Sequence, residues 1–456
     1  MARRNSIELR SRLTTLLPSR TIWRLARESG FVQRVRKVSP PAFLWTLVFG
    51  FSFGDQRTLA GLRRAYEVAT RTSLAPSAFS DRFDASLVRF LKAVVELVLG
   101  RLVEPSRALA GELVAFAEVL VADTTVIRLD DSLAGAFPGC RTNYAQAALK
   151  LHALMTVNGS GPRSVKVTSE RKPDGKVLRV GKWVKDRLLL FDLGYYRYQL
   201  FDCIRRNGGY FVTRLKKNAN PTIVAVHRRW PGASIPLVGE KLQDVIGRLQ
   251  RQEIDVEVEV KFQRRRYAGK RSTARERLRL VGLRNEETGE YHLYATNVPV
   301  ELFSAKGIAA LYRARWTIEL LFKSLKSDFR LDQMPSSNEH VVRALVYASI
   351  LTWVASRELL VAARKVLAKD GRSVPQRRWT RLLRTCAPHL LLIVTAPPRH
   401  AGSLTRSVEF ALLTEGPDPH RKRKSLGVEV ELGMPLSRRS AQASRSRQAK
   451  CSFANR

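Results

Sequence analysis

Four polar residues spaced along one stretch constrain this chain more than any other feature. Residues 305–332, AKGIAALYRARWTIELLFKSLKSDFRLD, have the length and period of a single amphipathic helix. Tyr312, Arg315, Glu319 and Lys326 stand at offsets 0, 3, 7 and 14. At about 100° per residue they fall within roughly 60° of one another on the helix barrel. Lys323 and Trp316 border the same face, while Leu311, Ala314, Ile318, Leu321, Phe322 and Leu325 form a core-facing stripe opposite. One carboxylate therefore stands among cations and a phenol on a helix packed by its back. Such a face suits an anionic group held beside a metal ion. A plain surface pair of Glu319 with Lys323, worth about 0.2–0.5 kcal/mol, and a solvated face are the simpler readings.

Further ligands must come from elsewhere. Asp123 is embedded in VLVADTTVIRL (119–129), a β-branched apolar run. A carboxylate in a buried strand is costly unless it is paired or binds metal. Asp192 ends the apolar run RLLLF, and Gly194 beside it leaves room for a close approach. Three carboxylates from three elements can meet at a sheet edge and hold two Mg²⁺ that clamp the attacking and leaving oxygens of a phosphodiester. Against this, an aspartate at a strand end is more often a turn former. Asp186 and Asp202 rank below these because neither ends an apolar strand. His152 alternates with apolar neighbours and reads as a satisfied core histidine.

Charge narrows the partner. The chain of 456 residues carries 80 Lys+Arg against 40 Asp+Glu, a net +40. That charge repels itself unless a polyanion shares it, so DNA or RNA is the expected partner. The cations are spread along the chain rather than set on one membrane-surface helix. No apolar run reaches about 18 residues, and the first residues lack a signal-peptide core, so no membrane and a cytoplasmic location are expected. Cys140, Cys203, Cys386 and Cys451 have neither zinc-ligand nor disulfide-framework spacing.

In chain order, 1–105 reads as a helical, basic N-terminal region. Helical patterns run over Ser6–Leu17, Ile22–Val38, Ala42–Phe51 and Arg57–Thr70, and a further helix opens at Pro76 and stops at Gly100. Arg24, Arg27, Arg34, Arg36, Lys37, Arg63, Arg64 and Arg71 make it either a DNA-binding module or a helical cap with a solvated face. Residues 106–220 read as the first part of an α/β core. Strands over 149–157 and 164–169 flank an Asn158-Gly159 turn, and a helix over 196–209 leads to a basic strand at 210–217. Strict alternation at 253–263, 277–283 and 290–297 marks 221–300 as a β-rich insertion, with a basic loop at 264–277. Residues 301–400 complete the core with helices at Glu339–Leu367 and Trp379–Arg384. Residues 401–456 read as a basic, disordered tail.

Tyr312-x₂-Arg315-x₃-Glu319-x₆-Lys326 resembles the Y-R-E-K signature of bacterial insertion-sequence DDE transposases. Asp123-Thr124-Thr125, Asp192-Leu193-Gly194-Tyr195 and FVTRLKKN (211–218) resemble that family's other blocks. The likeness covers roughly 77–360. It implies a ribonuclease-H-like mixed sheet with helices on both faces. It also implies a catalytic metal triad of Asp123, Asp192 and Glu319 with two Mg²⁺ per site, Mn²⁺ being able to substitute. DNA contacts would come from Tyr312, Arg315, Lys326, Lys323, Trp316, Arg214, Lys216 and Lys217, and Trp230 is a candidate for stacking on a flipped base. The partner implied is double-stranded DNA, and the activity implied is cleavage of its inverted-repeat ends and strand transfer into target DNA, with a homodimer pairing two ends. A ribonuclease-H-like nuclease and a decayed DNA-binding protein are the alternatives.

Overall fold

The computed structural model describes residues 6–34, 37–54, 57–102, 111–140, 145–157, 162–227, 236–264 and 272–418. The Asn158-Gly159 turn, Arg36, Trp230, Cys451, residues 265–271 of the basic loop and the chain beyond 418 lie outside them. Helices come first: α1 (Leu9–Leu16), α2 (Ser19–Glu28), α3 (Pro40–Gly50), α4 (Leu59–Thr70), α5 (Pro76–Ser80) and α6 (Ala85–Leu102). The pattern over Ile22–Val38 is cut short because the chain leaves α2 through Gly30, whose φ is +77°.

The strands follow: β1 (Glu118–Arg128), β2 (Ala148–Thr156) and β3 (Pro162–Ser169), then the single turn α7 (Asp174–Val177) and β4 (Arg187–Phe191). Next come α8 (Tyr198–Arg206), β5 (Tyr210–Arg214), β6 (Thr222–Val226), α9 (Leu242–Ile246), β7 (Glu253–Gln263), β8 (Thr273–Arg284) and β9 (Tyr291–Thr296). The chain closes with α10 (Ala305–Arg313), α11 (Trp316–Ser327), α12 (Glu339–Ala368), α13 (Gln376–Thr395) and α14 (Pro398–Glu415).

One sheet in the order β3-β2-β1-β4-β5-β9-β8-β7-β6 contains all these strands. β1, β2 and β3 are antiparallel neighbours, and β4 and β5 continue beyond β1 in parallel. This half is the mixed sheet of the ribonuclease-H-like fold. The stretch 221–300 supplies β6–β9, which extend the same sheet through antiparallel pairing of β9 with β5. Alternation correctly marks these residues as strands, but nothing local in it reveals that they share a sheet with the rest.

Each face of the sheet has its own core. Val119, Val121, Leu149, Leu151, Leu188, Leu190 and Val212 pack with the N-terminal helices and α10–α13. Leu120, Ala122, Leu189, Phe191 and Phe211 pack with α8, α9 and the inner residues of β7 and β8. The N-terminal helices share the first core, and buried polar contacts tie them to α12: Thr352 Oγ1 donates to the Val48 carbonyl (2.6 Å), and Ser52 Oγ to Ser349 Oγ (3.2 Å). They therefore cap the sheet. α12 is long and apolar enough to cross a membrane, but 83% of its most apolar window is buried inside the protein, as for a core helix. The expected tail from 401 begins instead inside α14, because Ala401, Val408 and Leu412 are buried against the helical core.

His152 meets its expectation only in part. It is 5% exposed, and its Nε2 lies 2.8 Å from Thr168 Oγ1, but Nδ1 has no hydrogen-bond partner. Burial pushes its pKa down to about 4, against a smaller opposing pull from Asp174. The unfolded chain therefore binds a proton near pH 6.5 that the folded chain refuses until about pH 4. Stability from His152 is complete above about pH 6.5 and falls as pH drops through that window, by at most about 3 kcal/mol. Urea denaturation at pH 7 and pH 4.5 checks this: His152→Gln should flatten the wild-type loss, and an equal loss in both proteins refutes it.

Candidate active site

Strand register brings the acidic residues together. Ala122 pairs with Phe191 across the parallel β1–β4 ladder, so Asp123 and Asp192 are the next residues on adjacent strands. Phe191 pairs with Thr213 across β4–β5, which sets Arg214 beside Asp192. Asp123, Asp192 and Arg214 share the parity of Val121, Leu190 and Val212, so all three point to the α10–α11 face. Asp123 lies in the middle of β1 rather than at its end; it is β4 that ends, which opens the sheet there.

Residues 305–332 are not one helix. α10 and α11 meet at Ala314 and Arg315, where amides of Ala314, Arg315, Thr317 and Ile318 donate to carbonyls three residues back. That tightened turn keeps helical dihedrals at Arg315, and the signature residues still converge. Arg315 is the hub. Its Nη1 donates to Asp123 Oδ2 (3.1 Å) and its Nη2 to Glu319 Oε1 (2.5 Å). Its Nε is buried without a partner. Tyr312 Oη donates to Asp192 Oδ1 (3.3 Å), and both Arg315 and Arg214 lie over the Tyr312 ring, 5.6 and 5.7 Å from its centroid.

The electrostatics follow from this crowding. Burial raises the Asp123 pKa to about 6; the Thr124 amide and Arg315 pull it down, while Asp192 and Glu319 push it up. Burial, and then Asp192, raise the Tyr312 phenol well above its usual range, so it is a donor at neutral pH. For Arg315, burial opposes the charge but Tyr312, Glu319 and Asp123 outweigh it and its pKa rises. Three carboxylates and one inner guanidinium leave an excess of oxygen ligands, a donor set that fits a hard divalent cation. As the side chains stand, no group of three or more His, Cys, Asp or Glu among the described residues is arranged to hold an ion. Arg315 spans the gap between Asp123 and Glu319.

The remaining expected residues divide. Trp316 is 58% exposed on the rim, with Leu320 and Leu193 also exposed. Lys323 and Lys217 are exposed, and Lys216 Nζ sits 5.2 Å from the Tyr196 ring centroid. Lys326 does not face outward: its half-buried Nζ donates to the Val126 carbonyl (2.9 Å), and burial lowers its pKa. It anchors the end of α11 to β1. Asp202 is fully buried far along α8, paired with Arg206 and Arg264 (both 2.9 Å). Asp186 has a left-handed backbone (φ 55°) and turns the chain into β4.

Asp174 is the residue that sequence reasoning missed. It accepts from Lys150 Nζ (2.9 Å) and from Thr124 Oγ1 (3.3 Å), directly behind Asp123. A Cβ on Gly194 would lie 2.5 Å from Asp174 Oδ2. The glycine two residues after Asp192 is thus required by a carboxylate pressing on it from α7. Only that glycine gave a hint.

The family model for the transposase DDE domain matches residues 115–355. The transposase of insertion element IS231D from Bacillus thuringiensis subsp. finitimus is 23% identical over 89% of this chain and 91% of its own length. That of IS1151 from Clostridium perfringens is 21% identical over 75% and 78%. Among solved structures, a piggyBac transposase synaptic complex with hairpin DNA covers 90% of this chain and 85% of its own at 12% identity, with a TM-score of 0.42, a likeness too loose to build on.

Three substitutions test this geometry. Lys326→Ala should lower stability by about 1–2 kcal/mol in urea denaturation, since it orphans a carbonyl and frees the α11 end; an unchanged midpoint contradicts the anchoring role. Gly194→Ala should destabilise the protein, and Asp174→Ala should relieve much of that loss in the double variant. Additive losses would show that the close approach is not the cause.

Proposed function

This chain belongs to the transposase DDE domain family, and from that premise we propose that it binds inverted-repeat transposon ends and carries out cut-and-paste DNA transposition. The observation that carries the reading is the convergence of Asp123, Asp192 and Glu319, through Arg315 and Tyr312, at the open end of β4. These carboxylates would hold divalent cations, two Mg²⁺ in our reading with Mn²⁺ able to substitute. Cations bound there supply Lewis acidity at the scissile phosphate and lower the pKa of the attacking water.

The chain's own residues do the rest. Arg315 neutralises the carboxylates and, released from one of them, turns a guanidinium toward the phosphodiester. Tyr312 keeps its proton and fixes Asp192. Arg214, Lys216, Lys217 and Lys323 grip backbone phosphates without reading bases. Trp316 stands where it can wedge between bases at the transposon end. Lys326 contributes by holding α11 on β1 rather than by touching DNA.

Water opens the phosphodiester at the end, and the freed 3′-OH then attacks target DNA. That transfer exchanges one phosphodiester for another, so no nucleotide hydrolysis is required. Two ends must be joined together, so a homodimer forms the synapse. The protein works in the bacterial cytoplasm at the nucleoid. In domain terms, 1–105 is the helical N-terminal region, 106–220 and 301–400 the catalytic core, 221–300 the β-rich insertion, and the basic tail begins after α14.

The test uses labelled inverted-repeat ends, a target plasmid and Mg²⁺. Strand-transfer product is expected with the wild type and should vanish in Asp123→Asn and Glu319→Gln. Cleavage without joining would make the protein a nuclease. Salt-sensitive binding with no cleavage in Mg²⁺ or Mn²⁺ would reduce it to a DNA-binding protein.

A further inference from the structure

The opposite face of the sheet holds a cavity that the transposition reading does not use. His152, with Thr124 beside it, alternates to that face, back to back with the carboxylates across β1 and β2. A hollow of about 310 Å³ opens there between β2, β3 and the segment 177–183. It falls at the small end of ligand-sized sites, which begin near about 300 Å³. Ala122, Leu154, Tyr195 and Trp183 line it. The Trp183 ring is fixed by its Nε1, which donates to the Arg179 carbonyl (3.1 Å).

Cations edge the hollow. Arg163, Lys166 and Arg179 all line it, and the Arg163 guanidinium lies 6.0 Å from the Trp183 ring centroid. Arg163 also pairs with Glu118, so part of its charge is already used; Lys166 and Arg179 are exposed. The second observation comes from inside. His152 lines the cavity, is 5% exposed, and its Nδ1 makes no hydrogen bond although Asp174 Oδ1 is 3.9 Å away. That nitrogen is itself closed to solvent on the Asp174 side of the ring, so the imidazole gives the cavity a buried wall rather than an open polar group. A slot lined by apolar side chains, by the Trp183 ring and by the cationic side chains Arg163, Lys166 and Arg179 has the make-up of a single-nucleotide site.

We propose that this cavity holds one unpaired nucleotide of a DNA strand, with its base against Trp183 and toward His152 and its phosphate toward Arg179 and Lys166. The inference rests on DNA being the substrate, and it adds a second contact on the face away from the carboxylates. The shared chemistry, a nucleoside phosphate, can also come from a free nucleotide, so the test compares the two sources.

Binding is measured in EDTA, which separates it from cleavage. Full-length protein is titrated with a blunt duplex, with the same duplex carrying a short single-stranded extension, and with deoxynucleoside monophosphates. An extension bearing 5-iododeoxyuridine is also photocrosslinked. The extension should bind about tenfold tighter than the blunt duplex, and Trp183→Ala should erase that preference while blunt-duplex binding stays constant. Trp183→Phe should keep it, which separates stacking from folding damage. Arg179→Ala should reduce it, and the crosslink should map to 177–183. Saturable binding of monophosphates that also depends on Trp183 would retain the site but assign it to a free nucleotide. Equal affinity for blunt and extended duplexes, or a preference that survives Trp183→Ala with the crosslink elsewhere, overturns the proposal and leaves the transposase reading intact. Failure to bind any DNA removes both.

Discussion

The bridge from Arg315 to Asp123 and Glu319 is the interaction on which the rest of the site depends. Asp123 is embedded in β1 and largely desolvated, and its proton affinity is already raised. Three carboxylates gathered at one sheet opening would repel one another without a cation among them. Arg315 provides that cation from the turn between α10 and α11, and so ties the helix pair to a strand almost two hundred residues earlier in the chain. The tightened turn matters because it presents the guanidinium between the two carboxylates. Lys326, one helix length further on, fastens the other end of α11 to the same strand. The helix is therefore fastened at both ends over β1, and Glu319 shares the Arg315 guanidinium with Asp123. The same bridge explains why a divalent ion has no ready-made cage: the guanidinium occupies the space that an ion needs.

The sheet divides the labour. Residues of one parity on β1, β4 and β5 present the acids and Arg214 to α10 and α11; residues of the other parity carry Thr124, His152 and the aromatic core around Phe191, Phe201 and Phe211. Asp174 couples the faces, since it takes a hydrogen bond from Thr124, whose amide in turn donates to Asp123. A change behind the sheet can thus reach the acids through two bonds. The N-terminal helices and α12 pack behind the face that carries the acids as one core.

Much of this was legible in the sequence, for definite reasons. Asp123 stood out because a carboxylate inside an apolar, β-branched run is costly unless it is paired or binds metal, and Asp192 because it ends an apolar run beside Gly194. Glu319 stood out through its spacing to Tyr312, Arg315 and Lys326. The ribonuclease-H-like class followed from the resemblance these residues carry. Local patterns failed where partners decide. Alternation identified β7, β8 and β9 but not their union with β5. The helical wheel put Lys326 on the outward face, whereas the packing of α11 on β1 brings a backbone carbonyl to its amine. Asp174 lies on a single helical turn with no periodicity around it, and only the glycine it presses upon gave a sign. The unpartnered nitrogen of His152 is invisible in a sequence, because it depends on how the ring packs between Thr168 and Asp174.

In our proposal Asp123, Asp192 and Glu319 form one ion-binding centre, and Arg315 fills the space between Asp123 and Glu319 until an ion takes it. Electron paramagnetic resonance of Mn²⁺ titrated into the DNA-free protein tests it most directly. Wild-type protein should bind Mn²⁺ competitively with Mg²⁺, and Asp123→Asn, Asp192→Asn and Glu319→Gln should each weaken binding sharply. Arg315→Ala, which frees the space between the carboxylates, should strengthen it. Mn²⁺ binding that is indifferent to all three carboxylates, or that weakens when Arg315 is removed, would contradict the account.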